Sequence, residues 1–295
     1  MQQWFPLLLV ATLGGPGWIH AQGASADSQS ARLDEVVVLG TNEGRENLPL
    51  GPNLQPEWTA RRPFATTRVY VQPPWQVEAE IGWRTQWPRK GGPSHRLQQE
   101  IEIGLPYRLQ LDIENADTVD HGKWDHAFNA LELRCAFADW GRVPLNPTVN
   151  LEWKFNDHAA DAYEVQLLLG EQFSERWHWG LNLFFEQQIG DDREREFAVA
   201  QALSYTLIDE KLSAGVEMKF ASGSDKDTRS HPEYEFLIGP SFQWRPTRRT
   251  HLDVVPLFGV THDSPRAELF VFFGFDFGPG SKEMEGVTPA SLRGR

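Results

Sequence analysis

Apolar and polar residues alternate with period two along most of the chain downstream of residue 70. In Trp75–Trp87 the odd positions carry Trp75, Val77, Ala79, Ile81, Trp83 and Trp87, with Thr85 the exception. The even positions carry Gln76, Glu78, Glu80, Gly82, Arg84 and Gln86. Successive strand residues point to opposite faces, so one face is apolar and the other charged. The alternation returns in Leu97–Leu105, Tyr107–Ile113, Asn129–Phe137, Val149–Phe155, Tyr163–Leu169 and Trp177–Phe185. It continues in Phe197–Tyr205, Leu212–Phe220, Tyr234–Trp244, His251–Phe258 and Leu269–Phe277, twelve segments in all. Each is close to the ~9–11 residues that a tilted strand needs to cross a bilayer. No stretch reaches the ~18 apolar residues of a spanning helix, which excludes membrane-crossing helices.

The connections sort into two sets. Polar loops Pro88–His95, Ala116–Asp125, Asn156–Asp161, Gly190–Glu196, Ala221–Glu233 and Thr261–Arg266 alternate with mostly tight turns such as Gly104–Pro106, Ser174–Arg176 and Arg245–Thr247. Short turns at one end and longer loops at the other are the pattern of an outer-membrane barrel. Closure is expected, because lipid cannot satisfy an open sheet edge. The predicted fold class is all-β: a transmembrane, antiparallel, up-and-down β-barrel of about twelve strands. Trp75, Tyr107, Trp177, Tyr205 and Trp244 fall at the short-turn ends, and Trp87, Trp153, Tyr163 and Tyr234 at the opposite ends. Amphipathic rings favour the headgroup level, so these positions predict two aromatic girdles. A soluble β-sandwich would use the same rings as core and gives no reason for them to sit at strand ends.

Residues 1–26 read as an export signal. Trp4–Ala11 is an apolar core, and Gly14–Gly17 is followed by small residues suited to cleavage at Ala21 or within Ala24–Ala26, although no Lys or Arg supplies a basic n-region. Residues 27–70, rich in Pro, Asn, Gly and charge, read as a flexible periplasmic lead-in. Residues 71–278 form the expected barrel and 279–295 a polar tail. Leu33–Thr41 resembles the energy-coupling box through which TonB-dependent transporters pair with TonB as a strand. Those receptors carry a separate plug domain and about 22 strands, for which this chain has no room.

Composition narrows the chemistry. A net charge of −13, from 41 acidic and 28 basic residues, argues against nucleic acid or an anionic membrane surface as partner. The single Cys135 makes neither an internal disulfide nor a metal framework. Alternation assigns to the inner face Glu78, Glu80 and Arg84 of the first segment, Arg96, Glu100 and Glu102 of the second, and Arg108, Asp112 and Glu114 of the third. Glu132 and Arg134, then Glu152 and Lys154, follow on the next two. With Glu164, Glu186, Glu217, Lys219, Glu235, Asp253, Glu268 and Asp276, the interior holds fifteen carboxylates against six bases. Such an interior cannot be dry and unpaired. It is either a hydrated lumen, suited to passive passage of small neutral or cationic organic solutes, or a plugged barrel closed by its own paired charges.

Loop pairs Asp120-His121, Asp125-His126, Asp157-His158 with Asp161, and His262-Asp263 carry metal-ligand side chains. They lack ligand spacing and read as ordinary solvated residues. Ser94-His95 and Ser230-His231 are sequence neighbours that a strand would splay apart, and no phosphate loop or zinc spacing occurs. No catalytic residue, cofactor or metal is therefore assigned. The expected location is the outer membrane, and the expected partners are its lipid, a small-molecule solute, the barrel-assembly machinery and, secondarily, TonB.

At Glu102-Ile-Gly104-Leu105-Pro106-Tyr107-Arg108-Leu109-Gln-Leu111 the chain resembles a family of transporter-like outer-membrane proteins labelled for the meta-cleavage pathway of phenol degradation. The resemblance covers residues 65–278 in organisation. It implies a barrel and passage of small organic molecules.

Overall fold

The computed structural model describes residues 44–61, 64–120, 122–190 and 192–278. The expected signal, the TonB-like segment Leu33–Thr41 and the polar tail lie outside the described residues. A single 3-10 turn (Arg45–Asn47), two short strands β1 (Pro49–Leu50) and β2 (Gln55–Pro56), and a helix α1 (Glu57–Arg61) come first. Twelve long strands follow: β3 (Val77–Trp87), β4 (Ser94–Leu105), β5 (Leu109–Asp120), β6 (Lys123–Ala136), β7 (Thr148–Asn156) and β8 (Ala162–Gln172). Then come β9 (Trp177–Gln188), β10 (Arg195–Ile208), β11 (Leu212–Ser224), β12 (Glu233–Thr247), β13 (Thr250–Gly259) and β14 (Ala267–Phe277).

Each long strand pairs antiparallel with its sequence neighbours, and β14 pairs with β3 from Ala267↔Trp87 to Phe277↔Val77, which closes the barrel. All twelve predicted segments are strands of this barrel. Closure leaves no edge for lipid to face. The alternation decides the orientation of every strand. Ile81, Ile101, Ile113, Leu131 and Leu151 stand 44–54 % exposed on the outer wall. Their inward neighbours Glu80, Glu102, Asp112, Glu132 and Glu152 are buried. An exposed apolar belt around a polar interior inverts a soluble protein and suits lipid. The predicted girdle residues range from Tyr107 at 87 % and Trp75 at 55 % exposed, both in turns, to the half-buried strand residues Tyr163 and Tyr205.

Two connections differ from the sequence reading. The predicted loop Ala116–Asp125 is mostly ladder, because β5 and β6 pair through to Asp120↔Lys123 after a bulge at Ala116/Asp117. At the opposite end, residues 137–147 form a long connection among short turns. It folds back on the barrel mouth, and Asn146 donates to the Gly170 carbonyl at 3.0 Å.

The larger correction concerns the lead-in. Its described part, residues 44–61 and 64–70, is not a flexible periplasmic segment but an insert packed inside the barrel. The chain is tied at the short-turn end, where the Arg45 N–H donates to Asp209 Oδ2 at 2.9 Å. It runs inward through α1 and turns near mid-barrel, where Thr66 N–H donates to Glu217 Oε2 at 2.9 Å. It then returns past Arg68 and Gln72 to enter β3. Trp58 is fully buried, with its indole N–H donating to Gln172 Oε1 at 3.1 Å. Trp140 of the 137–147 connection packs edge-on against both Trp58 (5.7 Å) and Tyr70 (5.3 Å). Truncating a buried Trp to Ala costs about 3–5 kcal/mol, so this aromatic knot holds the insert well beyond thermal energy.

Candidate functional site: the barrel interior

The inner wall and the insert together form the candidate site. Contacts between non-neighbouring strands show which side chains share it. His251 of β13 reaches past β14 to Glu78 of β3, Nε2 to Oε1 2.5 Å, while its Nδ1 lies 2.5 Å from Asp253 Oδ2. Lys154 of β7 reaches Glu186 of β9 at 2.5 Å, with Glu164 at 3.3 Å and Glu152 at 3.5 Å.

Eleven of the twelve lumen residues assigned from sequence face this interior. Glu78, Glu80, Glu100 and Glu102 surround the insert. Arg68 Nη2 lies 3.3 Å from Glu80, 3.7 Å from Glu100 and 3.0 Å from Glu102. Gln72 donates to Glu78 at 2.8 Å. Arg134 pairs with Asp112 at 3.0 Å and Glu132 at 3.7 Å, and Arg84 pairs with Glu268 at 2.6 Å. Glu114 accepts from Gln98 at 2.7 Å, and Glu152 lies beside Lys154. The exception is Arg108. It sits in the 106–108 turn with φ 62°, and pairs with Asp139 at 3.0 Å at the barrel rim. The alternation was extended through a turn, where strand periodicity has no force.

Sequence reasoning missed three contributors. Arg61 and Arg68 belong to a stretch without periodicity, yet Arg68 meets carboxylates of the inner wall and Arg61 those of the β10–β11 turn and of α1. Arg61 pairs with Glu210 at 2.9 Å and Glu57 at 3.2 Å. Glycines at inward positions 104, 170 and 180 mark the insert's path. A Cβ on Gly104 would stand 1.9 Å from the Pro73 carbonyl oxygen, and one on Gly180 2.6 Å from Val69 Cγ1. Finally, part of the inner wall of β12–β14 is apolar, with Leu237, Val255, Leu257 and Phe270 buried and Ala65 of the insert packed on them. The signal was in Leu269–Phe273, apolar on both faces, which is the pattern of a strand covered on both sides.

Three groups of ligand-type atoms lie within 4.8 Å of one another: Glu78, Glu80 and His251; Glu100, Glu102 and Asp112; and Glu114, Glu132 and Glu152. Oxygen-rich sets suit hard divalent cations. Here Arg68, Arg134 and Lys154 already lie against them, so the groups work as an ion-paired network. Among the described residues, the loop pairs do not assemble into such a set. His158 Nε2 meets Asp125 Oδ1 at 3.1 Å, while His126 turns to Asp117 at 3.3 Å.

A closed twelve-strand antiparallel barrel, apolar outside and charged inside, has the architecture of outer-membrane β-barrels. The chain is similar in structure to an outer-membrane channel from Pseudomonas putida F1, with a TM-score of 0.54 and 9 % identity over 71 % of this chain and 98 % of that one. It also resembles the NanC porin (TM-score 0.49, 12 % identity, 68 % and 98 % covered) and the KdgM porin (0.47, 8 %, 68 % and 99 %). No family model and no curated protein matches the chain.

Proposed function

We propose that this protein resides in the outer membrane and passes small neutral or cationic organic solutes passively, with the insert setting the bore. The observation that carries this reading is the acidic belt in the long-loop half of the interior. There the buried Glu114, Glu132, Glu152 and Glu164 gather around Lys154 with Glu186, and the Glu186 and Lys154 side chains, 36 % and 16 % exposed, are the part open to solvent. An excess of one charge in a confined, low-dielectric passage concentrates ions of the opposite sign. The resemblance at Glu102–Leu111 implies passage of small organic molecules. TonB coupling through Leu33–Thr41 has no support from the barrel itself.

A second reading, a closed barrel without conductance, is favoured by the insert. The cavities beside it measure about 10 Å³ by Ala60 and Tyr70 and about 20 Å³ by Phe64 and Phe272, room for one water each. Planar-bilayer recording in asymmetric salt separates the two. The channel reading expects a small conductance with a reversal potential favouring cations, reduced in the E114Q/E132Q/E152Q variant. Anion preference would overturn the acidic-belt argument, and silence at all voltages would establish the closed barrel.

A further inference from the structure

At the short-turn end, the insert and the wall share a cavity of about 10 Å³. Glu46, Trp58 and Arg61 line it from the insert, and Lys211, Ser213 and Arg245 from β10–β12 and their turn. Arg245 decides its chemistry. Alternation along β12 turns the residue inward, and it is 4 % exposed. Its backbone N–H donates to the Lys211 carbonyl at 2.8 Å, which fixes where the side chain starts. Its Nη2 lies 3.2 Å from Asp276 Oδ2. Its Nε and Nη1 meet no acceptor among the described residues. A guanidinium has five N–H donors and no acceptor, and leaving a charged donor buried and unmatched costs more than leaving a neutral one.

The carboxylates of the same cavity are already engaged. Glu210 lies 2.9 Å from Arg61 and 3.5 Å from Arg248. Glu46 accepts from the Thr206 hydroxyl. Three cationic residues (Arg61, Lys211 and Arg245) therefore line the cavity against two carboxylates that have other partners. The volume suits a single water-sized sphere and leaves no room for the carbon chain of an organic acid. Unmatched donors, an excess of positive charge and that volume together describe a site for one small anion.

We propose that this cavity binds a single halide ion, which bridges Arg245 of the wall and Arg61 of the insert and so pins the insert at the short-turn end. The site lies at the opposite end from the acidic belt and stands whether or not the barrel conducts. The test uses the purified full chain in neutral micelles. Chlorine NMR should show excess broadening of the chloride line that bromide reduces severalfold. Gluconate, too large for the cavity, should leave the broadening unchanged at equal ionic strength. Arg245→Gln removes the donors, and Ser213→Leu fills the cavity while keeping every charge. Both should abolish the bromide-sensitive broadening, whereas Arg142→Gln, which removes an exposed arginine at the same end, should keep it. The bridge has its own readout, because a ligand that joins two elements slows their local opening. Backbone amides of residues 57–61 should exchange severalfold more slowly in chloride than in gluconate, and this difference should vanish in Ser213→Leu. Heat-modifiable migration confirms that each variant is a folded barrel, and Ser213→Leu carries the test where Arg245→Gln does not fold. Broadening that bromide does not reduce, or that persists in Ser213→Leu, would overturn the site. Equal exchange of residues 57–61 in the two salts would overturn the bridge.

Discussion

His158 illustrates how a single side chain at the rim senses its surroundings. It lies in the 157–161 loop, and its Nε2 stands 3.1 Å from Asp125 Oδ1 and 3.4 Å from Asp157 Oδ2. The hydrogen bond to Asp125, then the charges of Asp125 and Asp157, hold its pKa above the ordinary histidine value. A raised pKa means that the contact favours the ordered loop below the free-histidine pKa and is lost as pH climbs through the folded one. An NMR titration of the protein in micelles should therefore find the His158 midpoint above that of a free imidazole. Asp125→Asn should lower it, and an identical midpoint in that variant would remove the assignment. The pair joins β6 to the loop after β7, so its natural role is to tie neighbouring loops rather than to bind metal.

At the scale of elements, the strands and the insert sit at opposite ends of legibility. Period two is written into every strand because one face meets lipid and the other the interior, and a one-residue slip would exchange the faces. Twelve strands could therefore be read directly, and most inner-wall carboxylates with them. The insert carries no such rule. Proline, glycine and charge break any period in 44–76, and what orders the segment is the wall it packs against. The clues were dispersed: Trp58 in a polar stretch, Arg61 and Arg68 opposite an acidic interior, and glycines at inward positions of β4, β8 and β9. Gly180 gives a direct test. Its Cβ would meet Val69 Cγ1 at 2.6 Å and Thr67 Cγ2 at 2.8 Å, while valine suits the strand itself. Gly180→Val should displace the insert and raise single-channel conductance with the barrel retained. A conductance equal to the parent protein would mean that the insert yields without leaving.

For the whole molecule, the question is whether the insert builds the barrel or only fills it. Every seam of the barrel is made of strand against strand from β3 to β14, and none runs through the described residues between 44 and 76. Hairpins between sequence neighbours account for all but the closing β14–β3 pair, a low-separation topology that forms without a template. The insert contributes instead to charge balance and packing. Arg68 sits against three carboxylates, and the aromatic knot of Trp58, Tyr70 and Trp140 buries apolar surface. Removing residues 44–74 would leave Glu80, Glu100 and Glu102 without Arg68. In a dry interior that would be prohibitive, since an unpaired buried charge costs several kcal/mol. With the insert gone, however, water fills the space it occupied and solvates them. The expected outcome is a deletion variant that still migrates as a heat-modifiable barrel with unchanged β-type circular dichroism. It should melt at lower temperature than the full chain and show a conductance severalfold larger with stronger cation preference, because Arg61 and Arg68 leave with the insert. Failure of the deleted chain to fold, with the Gly180→Val protein folded and open, would show that the insert is needed for assembly and not only as a filling.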